Sequence, residues 1–116
     1  MLFVWYPKCS TCQRAKKWLD AHGKVAETRD IKSQPPTAEE LSAWQEKSGL
    51  PLKKFFNTSG QSYRALGLKD RLDTMDRAEQ LALLAEDGML VKRPILVDGD
   101  TVLVGFKEAD WTAALG

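Results

Sequence analysis

The chain holds two cysteines, and they fall three apart in the stretch Tyr6-Pro7-Lys8-Cys9-Ser10-Thr11-Cys12. A thiol attacks as its thiolate, and helix N-termini and cationic neighbours are the places that favour thiolate. Cys9 stands where a helix-favouring stretch begins. Its sulfur therefore faces unpaired backbone N–H groups and the positive end of a helix dipole. The amides near Ser10, Thr11 and Cys12 are expected to hold negative charge on a bound substrate, and Lys8, Arg14 and Lys16 add positive potential. Cys12 follows one helical turn later, where its sulfur can meet that of Cys9 and close a small disulfide. It is expected to sit deeper, to keep a more ordinary pKa and to resolve adducts formed on Cys9. Two other readings exist. A zinc site needs about four ligands, and only His22 could join the two thiolates without carboxylates, so no metal is expected. Buried free cysteine is common, so an inert core pair is the second alternative.

The flanking elements decide where these thiols stand. Leu2 to Tyr6 is apolar and aromatic and reads as a buried strand ended by Pro7. A helix follows from Ser10 or Thr11 to Ala21, with Ala15, Trp18 and Leu19 on one face and Gly23 closing it. Val25 to Ile31 reads as a second strand, and strand–helix–strand in this length makes the two strands parallel. Then comes a helical block: Thr37-Ala38-Glu39-Glu40 as a capping box, a helix stopping at Gly49, a short helix from Pro51 to Phe56, and helical stretches over Gln61–Leu66 and Asp76–Asp87. Arg93 to Val97 is a strand, Asp98-Gly99-Asp100 a hairpin turn, Thr101 to Gly105 the returning strand, and Lys107 to Leu115 a last helix. With the block removed, the order βαβ then ββα is that of a thioredoxin-like fold. It implies a mixed four-stranded sheet with helices on its faces, in an α/β chain. One domain over residues 1–116 is expected, carrying residues 36–88 as a helical insertion between strands two and three.

Composition narrows the functional classes. Apolar residues make up 43% and charged residues 28%, as in globular proteins, and the formal charge is +1. Neither direct nucleic-acid binding nor membrane attachment is expected from that balance. No apolar run approaches a bilayer span, and Met1 leads into Leu2 without a basic segment, so a cytoplasmic protein is expected. In that compartment a cysteine pair is catalytic, redox-sensing or metal-binding more often than structural.

Arg93-Pro94 is the second informative pair. In thioredoxin-like folds a cis-proline heads the third core strand, faces the active cysteines and lines the substrate groove. Pro94 has that position, and Arg93 before it can pair with an anionic substrate or the Cys9 thiolate. His22 is read as a helix C-terminal partner. Trp5, Trp18, Trp44 and Trp111 are read as core. The cluster Arg14, Lys16 and Lys17 is read as a solvated face that also steers anions.

Together, Tyr6-Pro7-Lys8-Cys9-Ser10-Thr11-Cys12, Ser62-Tyr63-Arg64-Ala65-Leu66-Gly67-Leu68, Lys92-Arg93-Pro94-Ile95 and Gly105-Phe106-Lys107-Glu108 resemble the arsenate reductase (ArsC) and Spx family of thioredoxin-fold proteins over nearly the whole chain. The helical block matches that family's insertion. The resemblance implies a nucleophilic cysteine at Cys9 and a site arginine at Arg93. Arsenate reductases of the family usually carry serine where Cys12 stands, and two further arginines where this chain has Asn57 and Gly105. An oxyanion wants several fixed cations, so efficient arsenate reduction is not expected. Spx-type regulators share the CxxC and Arg-Pro pairs and bind the carboxy-terminal domain of the RNA polymerase alpha subunit. They continue into a basic tail, whereas this sequence stops at Leu115-Gly116. Short CxxC members, read as thiol–disulfide or glutathione-dependent reductases, are the best match. The expectation is therefore a monomeric thiol oxidoreductase without a bound cofactor. Cys9 and Cys12 carry the chemistry, Arg93 assists it, and Lys8, Ser10, Thr11 and Pro94 complete the substrate-binding set. Glutathione or a thioredoxin or glutaredoxin system would serve as reductant.

Overall fold

A computed structural model describes every residue, Met1–Gly116. Its strands are β1 (Leu2–Trp5), β2 (Glu27–Asp30), β3 (Ile95–Asp98) and β4 (Thr101–Val104). Its helices are α1 (Ser10–Ala21), α2 (Ala38–Ser48), α3 (Gln61–Ala65), α4 (Leu68–Arg71), α5 (Arg77–Glu86) and α6 (Glu108–Leu115). Short 3₁₀ turns occupy Leu52–Phe55, Leu72–Thr74 and Gly88–Leu90. The sheet runs β2-β1-β3-β4, with β1 and β2 parallel and the other pairs antiparallel. This is the mixed sheet of a thioredoxin-like fold, with α2 to α5 between β2 and β3.

Period-two alternation sorts the strand residues onto two cores. Phe3, Leu96 and Leu103 point to the face covered by α1 and α6, where they meet Ala15, Trp18, Leu19 and Trp111. Val4, Ile95, Val102 and Val104 point to the other face, against Leu41, Trp44, Phe55, Phe56, Leu84 and Leu90 of the helical block. Trp111 is the centre of the smaller core. It meets Phe3, Trp18 and Phe106 edge-on at 6.3, 5.7 and 5.0 Å, the arrangement that the ring quadrupole favours. Its Nε1 donates to the Gly105 carbonyl at 3.1 Å, which fixes the end of β4.

Some boundaries differ from those read in the sequence. β2 begins at Glu27 rather than Val25, because its partner β1 begins only at Leu2, which pairs with Glu27. Val25 is left 91% exposed. β3 begins at Ile95 rather than Arg93. Pro94 has no N–H to donate, and the antiparallel ladder starts with Ile95 opposite Val4. Trp5 is half-buried at the margin of the smaller core, whereas Trp18, Trp44 and Trp111 are buried. The capping box is present as expected: Thr37 Oγ1 accepts the Glu40 N–H at 3.1 Å and Glu40 Oε1 accepts the Thr37 N–H at 3.0 Å.

Candidate active site

The interior strand β1 ends at Trp5, and a tight turn from Tyr6 then reverses the chain into α1. The Cys9 N–H donates to the Tyr6 carbonyl at 2.9 Å, and Gln13 Nε2 donates to the Pro7 carbonyl at 2.8 Å, so the turn is held from both ends. Cys9 is the N-cap of α1, with extended backbone (φ −89°, ψ 124°). A cysteine thus occupies the position usually given to a capping hydroxyl or carboxylate. Its sulfur is half-buried, and Cys12, one turn on, is fully buried; both thiols are free.

The two thiols are pushed in opposite directions. Partial burial raises the Cys9 pKa, but the amides of Cys12 and Thr11, the Cys12 thiol and the Arg93 charge outweigh it. The net position is below the usual 9.0. Cys12 is pushed up to about 12 by its burial first and then by the neighbouring Cys9 charge. The Tyr6 N–H, 3.4 Å from Cys12 Sγ, and Arg93 oppose that rise only in part. An ordinary pKa was expected for Cys12; full burial beside a second sulfur overrides that expectation.

Arg93 enters from the turn before β3. The Arg93–Pro94 peptide is cis, as its sequence position implied. Arg93 Nη1 donates to the Met89 carbonyl at 3.2 Å, and the guanidinium carbon lies 5.4 Å from the Tyr6 ring centroid, a cation–π distance. Its Nε is buried and has no hydrogen-bond partner.

These groups open onto a cleft of about 760 Å³, lined by Cys9, Thr11 and Arg14 at the head of α1, by Lys92 and Arg93 before β3, and by Lys107 before α6. Asn57, Gly60, Ser62 and Gly105 form its far wall. That wall is held by the helical block. The Lys92 N–H donates to the Phe55 carbonyl at 2.7 Å and the Asn57 N–H to the Leu90 carbonyl at 2.8 Å, stitching the middle of the block to the segment that leads into β3. No carboxylate lines the cleft. Such a cavity, mostly polar and ringed by cations, suits a small or extended anionic ligand next to a reactive sulfur.

Of the residues singled out by sequence, Cys9, Thr11 and Arg93 meet at this cleft, with Cys12 beneath. Lys8 and Ser10 are exposed and Pro94 is buried, and none of the three lines it. The Pro94 carbonyl instead accepts the Gly105 N–H at 2.8 Å, which ties the head of β3 to the end of β4. Lys16 pairs with Asp20 at 2.7 Å and so belongs to the solvated face, whereas Arg14 of the same cluster faces the cleft. His22 is the C-cap of α1, its Nδ1 donating to the Trp18 carbonyl at 2.8 Å. Lys92 and Lys107 were not read as site residues. The one signal was their position next to Arg93 and close after Gly105, since both ends of the β3–β4 hairpin border the cleft.

The family model for the ArsC family matches residues 4–114. The chain is 61% identical over 108 residues to the uncharacterized protein YusI of Bacillus subtilis, covering 93% of this chain and 92% of that one. It is 30% identical over 102 residues to the global transcriptional regulator Spx of Enterococcus faecalis, covering 88% and 76%. The crystal structure of a putative ArsC family related protein from Bacteroides fragilis superposes with a TM-score of 0.94 at 54% identity, covering 97% and 94%. The match thus runs over almost the full length, through the segments that carry the cysteine pair, the Arg93–Pro94 pair and the helical block, and the chain belongs to the ArsC family.

Proposed function

We propose that this chain is a thiol–disulfide oxidoreductase acting on disulfides or glutathione mixed disulfides. The observation that carries the reading is the opposed ionisation of two free thiols one turn apart, Cys9 lowered and Cys12 raised to about 12. The Cys9 thiolate attacks one sulfur of the substrate disulfide; a Cys9–substrate S–S bond forms, and the other substrate sulfur leaves as thiolate. Cys12 then gives up its proton and attacks Cys9 Sγ, and the second substrate sulfur leaves. The substrate gains two electrons, and the protein is left with a Cys9–Cys12 disulfide. Glutathione or a thioredoxin or glutaredoxin system returns the pair to dithiol.

The raised pKa of Cys12 orders these steps. Part of what keeps Cys12 protonated is the charge on Cys9. That charge disappears once Cys9 is bonded to substrate sulfur, so Cys12 becomes easier to ionise only when there is an adduct to resolve. Arg93, held by Met89 and Tyr6, stabilises the attacking thiolate and orients an anionic substrate.

Equilibration in glutathione redox buffers tests the reading. A reversible Cys9–Cys12 disulfide is expected, Cys9→Ser should abolish exchange, and Cys12→Ser should accumulate the mixed disulfide. If Cys9 titrates as an ordinary thiol, near pH 8.5, the mechanism fails. The similarity to Spx supports a second reading, a redox-sensing regulator that binds the carboxy-terminal domain of the RNA polymerase alpha subunit. Binding that changes between the dithiol and disulfide forms would favour it, and redox-blind or absent binding would remove it. For arsenate, Asn57 and Gly105 stand in the cleft wall without charge, and Gly105 adopts φ +75°, which disfavours any longer side chain there. No arsenate turnover with glutathione and glutaredoxin is expected.

A further inference from the structure

A second cleft, of about 630 Å³, adjoins the first and shares Lys92, Val104 and Lys107 with it. Its floor is Leu50 and Phe56, and its outer end carries Lys53 and Lys54 from the 3₁₀ turn Leu52–Phe55. Four ammonium groups from three separate segments thus line one groove. None of the four makes an ion pair, and none donates a side-chain hydrogen bond, so all four charges are free to meet a ligand. The only carboxylate lining either cleft is that of Asp110. A Cβ on Gly105 would lie 3.4 Å from Lys92 Cε, so the Lys92 stem crosses the glycine where the two clefts join. With a formal charge of only +1 for the chain, this is a local concentration of charge and not a general one.

Building on the oxidoreductase reading, we propose that this second groove docks an acidic polypeptide segment next to the oxidised sulfur, so that the substrate is a protein with carboxylates near its disulfide. Unpaired lysines at the end of an elongated groove attract a chain carrying several negative charges. The groove leads to Cys9, so its occupant must bring sulfur to that thiolate, which a polypeptide does and a nucleic acid does not. The apolar floor accepts the Cβ and Cγ atoms of such a segment. No exposed aromatic ring lines it for base stacking, because Phe56 is only 1% exposed.

Two peptides test this. Each has one cysteine blocked as a methyl disulfide, flanked on both sides by glutamates in one and by glutamines in the other. Reduced protein should turn the glutamate peptide over roughly tenfold faster, with an advantage that shrinks as salt is raised. Lys53→Glu/Lys54→Glu should remove most of that advantage and leave the glutamine peptide's rate unchanged. Equal rates for the two peptides, or an advantage that survives the double substitution, would overturn the proposal. If neither peptide is turned over, the oxidoreductase reading has failed, and binding decides the groove separately. A cysteine-free glutamate peptide added to Cys9→Ser protein should shift the amide resonances of Lys53, Lys54 and Lys92. Absent shifts, or equal binding of an oligothymidylate, would overturn the docking assignment.

Discussion

Cys12 Sγ accepts the backbone N–H of Tyr6 at 3.4 Å, and this contact joins the end of β1 to the first turn of α1 beneath the half-buried Cys9 thiol. The amide lowers the Cys12 pKa, yet burial and the Cys9 charge win and carry it to about 12. The folded state therefore keeps a proton that the unfolded chain releases near pH 9. This contribution to stability is complete below about pH 9 and is lost as pH rises toward 12. Each pH unit in that window removes up to about 1.4 kcal/mol. Urea midpoints of the reduced protein should fall between pH 8 and pH 10.5 more steeply than those of Cys12→Ala. Parallel curves would mean that Cys12 ionises in the folded protein as readily as in the unfolded one.

Cys9 responds with the opposite sign. Its lowered pKa rests on the Cys12 and Thr11 amides, the Cys12 thiol and Arg93, all acting against burial. Arg93→Ala removes the charge and Cys12→Ala removes the thiol donor, so each should move the pH profile of iodoacetamide alkylation at Cys9 upward. Arg93→Lys should recover the profile only in part, since an ammonium keeps the charge and loses the planar group held by the Met89 carbonyl and the Tyr6 ring. Disulfide exchange near pH 6 should slow by about tenfold in Arg93→Ala. An unchanged alkylation profile would leave Arg93 a purely structural role.

The fold was legible because its signals are local. The short apolar runs of β1 and the hairpin, the capping box at Thr37, and the glycines after α1 and α2 each act within a few residues. The cysteine pair was legible for the same reason, since helix geometry alone puts the two sulfurs together. The electrostatic depth of Cys12 was not. It depends on full burial of the sulfur beside Cys9, Tyr6 and Arg93, groups that β1, α1 and the turn before β3 bring together, and no spacing rule encodes that burial. Lys92 and Lys107 were missed as site residues because they converge only when the two ends of one hairpin are brought to the cleft. The burial of Pro94 likewise accompanies a pairing of its carbonyl with Gly105, eleven residues on.

Gly88 should tolerate no side chain. A Cβ there would collide with the Ile31 carbonyl where the turn Gly88–Leu90 packs on the chain leaving β2. Backbone on both sides leaves nothing flexible to move, so Gly88→Ala should destabilise by about 2–4 kcal/mol. The same turn carries the Met89 carbonyl that holds Arg93. Disulfide exchange should therefore fall in Gly88→Ala even where the protein remains folded. Wild-type stability in this variant, measured by urea unfolding, would contradict the close packing.

Glu40 serves two partners, and two substitutions separate them. Its carboxylate receives both Arg29 Nη1 and Nη2, at 2.9 and 3.0 Å, and also closes the capping box with Thr37. Burial raises the Glu40 pKa, but Arg29 and the Thr37 hydroxyl and amide outweigh it, and the net position is below 4.5. The stabilisation is thus present above pH 4.5 and is lost as pH falls through the lowered value. Arg29 is itself half-buried against Trp44, 5.6 Å from the ring centroid, and its Nε has no partner. Glu40→Gln keeps an acceptor for the cap and removes the charge, and should cost about 1–2 kcal/mol at pH 7. Glu40→Ala should cost about 1 kcal/mol more, through the cap. The gap between wild type and Glu40→Gln should narrow toward pH 3, where the native carboxylate begins to protonate. A gap independent of pH would assign the loss to packing, and no gap at pH 7 would mean that the Arg29–Glu40 pair contributes nothing to holding α2 on the edge strand.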